Sequence, residues 1–350
     1  MKILIKVNKV DVASYDIVNP PYLHSGLTKN ELMLKTFLMM LVIAFTSVII
    51  MGLTAFIHLI IAMGVVLLVY GLIHSYQIWR GIKPTYESPA SPLVTGMIVG
   101  LAMPIASPFE VTAGVALLTI LVFKYGQGKY FSRKYLNPAA TAKVLLLFVL
   151  SIMFIFENPL NLGMIFHTHH LSLNLFTAEG FQNSMWIFER ESILGIDLSA
   201  TLSLFFWQTH GWIGGACGVL VLIIGSIAAY WLKFKWRIIV STIITMTILA
   251  VSTGLITGGD PILRIAFHVF TGSVIFMIFF MATEPQSTPM PERSQYIFGI
   301  VLAVLTFILQ LFNVLGGSII ALVLLNLLTP YLDRIGIKTP YGVKKTKRGE

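Results

Sequence analysis

The chain has few charged residues and one cysteine, Cys217, and each shortage excludes classes of protein. Of 350 residues, 11% are charged and 56% are hydrophobic, and the mean hydropathy is +0.85. Such a composition does not fit a soluble surface. One thiol cannot hold a four-cysteine iron–sulfur cluster or a Cys-x-x-Cys-His haem attachment. Any redox group held by this chain alone is therefore expected to be organic.

Motifs for nucleotide-dependent and hydrolytic chemistry are also missing. The sequence contains no Gly-x-Gly-x-x-Gly, no Gly-Lys-Ser/Thr and no paired catalytic carboxylates. The cluster His167-Thr168-His169-His170 offers imidazole ligands, but no carboxylate or second cluster lies nearby. We therefore predict no metal site.

Long apolar runs are abundant. A membrane-spanning helix needs about 20 apolar residues, and the sequence offers ten candidate spans. They lie at 32–52, 54–76, 91–106, 109–124, 138–156, 211–231, 237–257, 262–283, 295–313 and 316–333. The third is short and contains Pro104, which predicts a broken or re-entrant helix. We predict an all-α polytopic membrane protein whose first span is retained.

Basic residues are distributed unequally between the two sets of loops. The net charge is +9, and of the 24 lysines and arginines only Arg190 and Arg264 fall on the side opposite the chain ends. We count Lys124 and Lys143 with the loops on the side of the ends. Because basic loops stay in the cytoplasm, both ends are predicted to be cytoplasmic. Membrane topology explains the charge, and no nucleic-acid partner is required.

Similar motifs recur in the two halves of the chain, about 176 positions apart. Val94-Thr95-Gly96 and Met103-Pro104 recur as Phe270-Thr271-Gly272 and Met281-Ala282-Thr283-Glu284-Pro285. With five spans each, the halves enter the membrane from opposite sides, which predicts an inverted repeat with a site between the halves. The prolines near this site either free backbone groups for a ligand or end helices at the membrane interface.

The predicted organisation follows from these spans. It comprises a cytoplasmic N-terminal segment (1–30), the first five-helix repeat (31–156), an outer segment folded over the membrane surface (157–210), the second repeat (211–333) and a basic cytoplasmic tail (334–350). The sixth span begins with glycines that serve either close helix packing or the binding of an anion at the helix start. They are Gly211, Gly214, Gly215 and Gly218. His58, His268, Glu110 and Glu284 are either proton carriers or structural residues.

Five motifs occur in the order typical of one family. They are Tyr22-Leu23-His24-Ser25-Gly26, Leu93-Val94-Thr95-Gly96, Asn137-Pro138-Ala139, Ser199-Ala200-Thr201 and Met281-Ala282-Thr283-Glu284-Pro285. From about residue 20 to 335 the chain resembles the family that contains the D subunit of the Rnf electron-transport complex and the B subunit of the sodium-translocating NADH:quinone oxidoreductase. The resemblance implies FMN linked through its phosphate to a threonine, for which Thr201 is the matching acceptor, and a second, noncovalent flavin such as riboflavin.

The attachment motif departs from the family pattern at two positions. Leu198-Ser199 stands where Ser-Gly is usual, which bears on recognition by the flavin transferase. Asp197, Ser199 and Ala200 would surround the attached flavin. Its phosphate keeps a negative charge, for which Arg190 or Arg264 is the expected partner, although Arg264 could instead pair with Asp260.

The resemblance implies an electron-transfer subunit of a complex in the bacterial inner membrane that translocates Na⁺ or H⁺ and is not catalytic alone. FMN would accept electrons from a neighbouring flavoprotein subunit. Residues expected to line the inter-repeat region, around a second flavin or an ion path, are Thr95, Gly96, Asn137, Thr271, Gly272, Thr283 and Glu284. The alternative is an inverted-repeat channel or transporter for a small polar solute such as urea or ammonium, without a redox cofactor.

Overall fold

The computed structural model describes residues 28–85, 88–105, 107–131, 135–146, 205–207, 211–257, 261–271, 274–311 and 317–336. Helices dominate these residues. In chain order they are α1 (Lys29–Met51), α2 (Leu53–Trp79), α3 (Ala90–Ala102), α4 (Phe109–Tyr130), α5 (138–146), α6 (Gly218–Trp231), α7 (Trp236–Thr257), α8 (Pro261–Phe270), α9 (Val274–Met281), α10 (Glu292–Leu311) and α11 (Gly317–Gly336).

Six of these helices are long and apolar enough to cross a membrane, or seven if the bent pair α8 and α9 forms one span. The six are α1, α2, α4, α7, α10 and α11. The prediction of an all-α polytopic membrane protein is thereby confirmed. Helices α3 and α6 are apolar but shorter. The arrangement of ten spans in two inverted repeats stays a prediction.

Helix α1 begins at a capping box. Thr28 Oγ1 accepts a hydrogen bond from the Glu31 N–H at 3.2 Å, and the Glu31 carboxylate accepts one from the Thr28 N–H at 3.1 Å. These bonds satisfy two donors at the helix start. Between α1 and α2, Gly52 has a φ of +80°, a conformation that glycine adopts without a steric penalty. One residue is therefore enough to separate the two helices.

Helix α2 shows how such helices divide between lipid and protein. Leu53 and Leu72 are exposed, whereas Ala55 and Ala62 are fully buried. Because lipid is as apolar as leucine, packed faces are enriched in small residues that let helices approach closely. Gly96 of α3 follows the same rule, since a Cβ there would lie 2.9 Å from the Cα of Met63 in α2. The two helices can therefore approach to backbone contact.

Related helices of the two halves have related neighbours. Helix α2 packs against α3 and α4, and α7 packs against α8 and α10. A shift of 176 residues brings α2, α3 and α4 onto α7, α8–α9 and α10, respectively. Two stretches depart from α-helical geometry: Thr119–Gly126 within α4 and Met277–Met281 within α9 are π-helical.

Candidate functional site

Helix α3 stops in the interior of the protein, as Pro104 predicted. It ends at Ala102, and Met103 is extended with a φ of −82° and a ψ of 143°. The extended stretch crosses the segment before α6: the Ile105 N–H donates to Gly211 O at 2.8 Å, and the Ile213 N–H donates to Met103 O at 2.9 Å. We call Met103–Ile105 and Gly211–Ile213 together the crossing. It joins the end of α3, in the first half of the chain, to the segment before α6, in the second half.

The glycines near the crossing permit close packing. A Cβ on Gly214 would lie 2.9 Å from Leu101 O, and one on Gly218 would overlap the Phe270 ring. Gly211 has a φ of +117°, which other residues rarely adopt. The sixth predicted span therefore starts with an extended stretch and a short 3₁₀ turn, and the helix itself begins at Gly218. This geometry favours close helix packing, rather than the binding of an anion, as the role of these glycines.

A second interruption separates α8 from α9, which are bent by 55° relative to each other. Thr271 lies at the break and is 6% exposed. Its N–H donates to Phe267 O at 3.0 Å, but its hydroxyl has no hydrogen-bond partner in the described part of the chain. Gly272, the other candidate at this break, lies outside the described residues. A buried hydroxyl without a partner is uncommon and is available to a ligand.

Asn137 connects the two halves. Its Oδ1 accepts a hydrogen bond from the Ala140 N–H at 3.1 Å, which caps α5, and its Nδ2 donates to Met281 O at 3.1 Å. The backbone N–H of Asn137 donates to the Oδ1 of Asn326 at 3.0 Å, in the amide orientation that also lets Asn326 donate to Ser287 O at 3.1 Å. The polar groups of Asn137 are thus engaged within the protein, and its role here is structural.

Thr283 and Glu284 follow the second break. Thr283 is 4% exposed, and its hydroxyl donates to Phe279 O at 2.6 Å. Glu284 is partly exposed, and its carboxylate accepts a hydrogen bond from the Ser287 hydroxyl at 2.9 Å. The Thr283 hydroxyl is thus bonded to the end of α9, and the Glu284 carboxylate is bonded to the segment that follows it.

Thr95 contacts a buried lysine. Its hydroxyl donates to Ser91 O at 2.9 Å and accepts a hydrogen bond from Lys124 Nζ. Lys124 also donates to Ser91 O at 2.6 Å and is 4% exposed. The ammonium therefore ties α3 to α4, and Gly96 beside it serves the contact of α3 with α2.

Lys143 is the residue that sequence reasoning missed. It is 1% exposed on α5 and donates to Ala102 O at 2.5 Å. Counting Lys124 and Lys143 as loop charges was wrong, because both are buried within helices, and neither reports which side of the membrane a loop faces. The sequence did contain a signal that Lys143 is not an ordinary loop residue, because it interrupts an apolar run, where a charge is costly.

The two candidate histidines, His58 and His268, are both buried, and each forms a hydrogen bond through Nδ1. His58 Nδ1 lies 2.7 Å from Thr112 Oγ1, which joins α2 to α4. His268 Nδ1 lies 3.0 Å from Gln310 Oε1, and Gln310 Nε2 donates to His268 O at 3.2 Å, which joins α8 to α10. Both contacts favour a structural role. Glu110 lies in the first turn of α4, where a carboxylate complements the helix dipole.

Several predicted residues lie outside the described residues. These are Arg190, Asp197, Ser199, Ala200 and Thr201, together with Asp260 and the histidine cluster at 167–170. Arg264 is partly buried on α8. Within the described part of the chain, no group of three His, Cys, Asp or Glu side chains could hold a metal ion.

Comparison with known proteins identifies several relatives. The chain is 28% identical over 274 residues to the D subunit of the Na(+)-translocating ferredoxin:NAD(+) oxidoreductase complex of Acetobacterium woodii, covering 76% of this chain and 77% of the relative. It is 24% identical over 268 residues to the D subunit of the proton-translocating ferredoxin:NAD(+) oxidoreductase complex of Clostridium ljungdahlii, covering 75% and 78%. It is 24% identical over 349 residues to the D subunit of the ion-translocating oxidoreductase complex of Shewanella sediminis, covering 94% and 98%.

A family model matches almost the entire chain, including both interruptions. The match extends over residues 17–342, which contain every described helix and the predicted attachment motif. The chain therefore belongs to the NQR2, RnfD, RnfE family.

Proposed function

We propose that this chain is the D subunit of an Rnf-type, ion-translocating oxidoreductase complex in the bacterial inner membrane. The observation that carries the proposal is the match to the family model over residues 17–342. Relatives named as D subunits cover up to 94% of the chain. Their names assign them to complexes that translocate ions, so this chain would act as one part of such a complex.

Within that complex, the chain would carry electrons through FMN linked by its phosphate to Thr201. The support is the position of Ser199-Ala200-Thr201 just before the crossing in sequence. FMN supplies one- and two-electron chemistry when it is bound, and the protein would position it and balance its charge. Arg190 or Arg264 would pair with the phosphate. A neighbouring flavoprotein subunit would deliver the electrons, and a flavin transferase would attach the FMN.

The resemblance also implies a noncovalent riboflavin between the halves. Among the described candidates, Thr271 fits this role because its buried hydroxyl has no partner. Thr95, Asn137 and Thr283 fit it less well, since their side chains already form hydrogen bonds inside the protein. We therefore place the proposed contact with riboflavin at Thr271 and Gly272.

An inverted repeat with both chain ends in the cytoplasm completes the proposal. It is supported by the matching neighbours of α2 and α7 and by the basic residues at both ends of the chain. In this topology the segment that contains Thr201 lies on the outer face. The coupling ion is Na⁺ or H⁺, and relatives named for each are known.

The decisive experiment is to produce the protein in a host that supplies the flavin transferase, denature it and look for flavin fluorescence in the gel band. Wild-type protein is expected to retain fluorescence, and Thr201→Val is expected to lose it. Thr209→Val serves as the matched control, because it makes the same change at a nearby threonine outside the motif. A wild-type band without flavin would reject the covalent attachment and favour a solute channel or transporter.

A further inference from the structure

Lys143 is a buried lysine whose described partners are neutral groups. Its ammonium donates one hydrogen bond, to Ala102 O at 2.5 Å, and lies 5.4 Å from the centroid of the Trp212 ring. No Asp or Glu of the described residues forms an ion pair with it. An ammonium has three N–H donors, so two of them are left without a described acceptor.

Trp212 adds a second donor at the same place. It is 1% exposed and belongs to the crossing, where it pairs with Pro104. Its indole Nε1–H is buried and has no hydrogen-bond partner among the described residues. Buried side-chain donors usually find an acceptor. Lys143 lies against the indole that carries this N–H, so unused donors of two residues from different segments lie close together.

Two groups beside Lys143 attract a cation. Ala102 is the last residue of α3, and the carbonyl end of a helix carries partial negative charge. The indole ring attracts a cation as well. Neither group is an anion, however, and a buried charge without a counter-ion is costly. When Lys143 is protonated, the crossing therefore has a positive charge and N–H donors but, among the described residues, no acceptor with a full negative charge.

We propose that Lys143 and Trp212 form a buried binding site for a small monovalent anion, such as a halide, beside the crossing. The ammonium would supply the charge, and the indole N–H would supply a directed hydrogen bond. The negative charge could come from dissolved halide or from an anionic group of a bound flavin. Both sources offer the same chemistry, an anionic acceptor for two N–H donors.

The test uses purified full-length protein prepared without flavin and, separately, loaded with flavin. Thermal unfolding is followed in detergent with chloride or with gluconate, a much larger anion, at equal ionic strength. We expect chloride to raise the unfolding temperature of flavin-free wild-type protein by about 3 °C at ten times its dissociation constant. The same increase in flavin-loaded protein would identify dissolved halide as the source. Its loss on flavin loading would identify the flavin.

Two kinds of variant tie the effect to the proposed donors. Lys143→Met removes the charge and should abolish the difference between chloride and gluconate, while Lys143→Arg should retain it. Trp212→Phe keeps an aromatic ring but removes the N–H, and it should weaken halide binding about tenfold, as expected for one lost hydrogen bond to an anion. If flavin-free wild-type protein responds equally to chloride and gluconate, the proposal is wrong. The flavin-free measurement does not depend on the proposed electron-transfer function.

Discussion

Replacing Asn137 with alanine should destabilise the protein by removing a contact between its two halves. The substitution removes the side-chain cap on Ala140 at the start of α5 and the hydrogen bond from Nδ2 to Met281 O. The backbone bond from Asn137 to Asn326 remains available. Asn137→Asp keeps an oxygen at the capping position but cannot donate to Met281 O, so it isolates the contact between the halves.

The expected cost follows from the two interactions. Loss of a helix cap costs about 1 kcal/mol, and a buried carbonyl left without its donor costs about 1–3 kcal/mol. Asn137→Ala should therefore lower the free energy of unfolding by about 2–4 kcal/mol. At about 2–4 °C per kcal/mol, the midpoint should fall by roughly 4–16 °C.

Thermal unfolding in detergent, followed by tryptophan fluorescence, measures this change. Asn137→Asp should unfold below wild type, because its carboxylate faces the Met281 carbonyl without a proton to donate. A midpoint for Asn137→Ala within about 1 °C of wild type would refute the assignment of Asn137 as the connection between the halves. Equal midpoints for Asn137→Asp and wild type would show that the bond to Met281 contributes nothing.

Three further substitutions test the helix contacts by the same measurement. Gly299→Ala should destabilise the protein by about 1–3 kcal/mol, since its Cβ would overlap Ser241 Oγ. Adding Ser241→Ala should recover part of this loss. Gly64→Ala is the control: its Cβ would meet nothing within 4 Å, so it should not destabilise the protein. Gln310→Leu should cost about 2 kcal/mol because it leaves His268 Nδ1 and His268 O without partners. Thr112→Val preserves shape but removes the partner of His58 Nδ1, so it should cost about 1 kcal/mol; no loss in either variant would contradict a structural role for that histidine.

The first interruption was predictable because proline acts locally. Pro104 cannot continue the hydrogen-bond ladder of α3, and the helix ends two residues before it. The bend between α8 and α9 was not predicted, because the proline in the equivalent part of the second half is Pro285, after α9. The bend instead lies at Thr271, and the sequence next to Thr271 contains no proline.

The partners of the buried polar residues were not predictable from spacing. Asn137 was identified as a site residue from its motif, yet its contacts with Met281 and Asn326 join segments more than 140 positions apart. Lys143 was assigned to a loop because charge counting treats every lysine as accessible to water. Its burial depends on the end of α3 and on Trp212, which meet it only in the folded protein.

At the crossing, the backbone groups that the fold must satisfy differ from the side-chain groups that could bind a ligand. In the hydrocarbon region, backbone groups freed by an interrupted helix must be satisfied by the protein, and at the crossing Met103 and Ile105 achieve this through Gly211 and Ile213. The fold therefore does not need a ligand to close this part of the backbone. The donors left over belong to the side chains of Trp212 and Lys143, which can be changed without breaking the backbone pairing. Trp212→Phe should accordingly change what the crossing binds while leaving α3 and α6 in place.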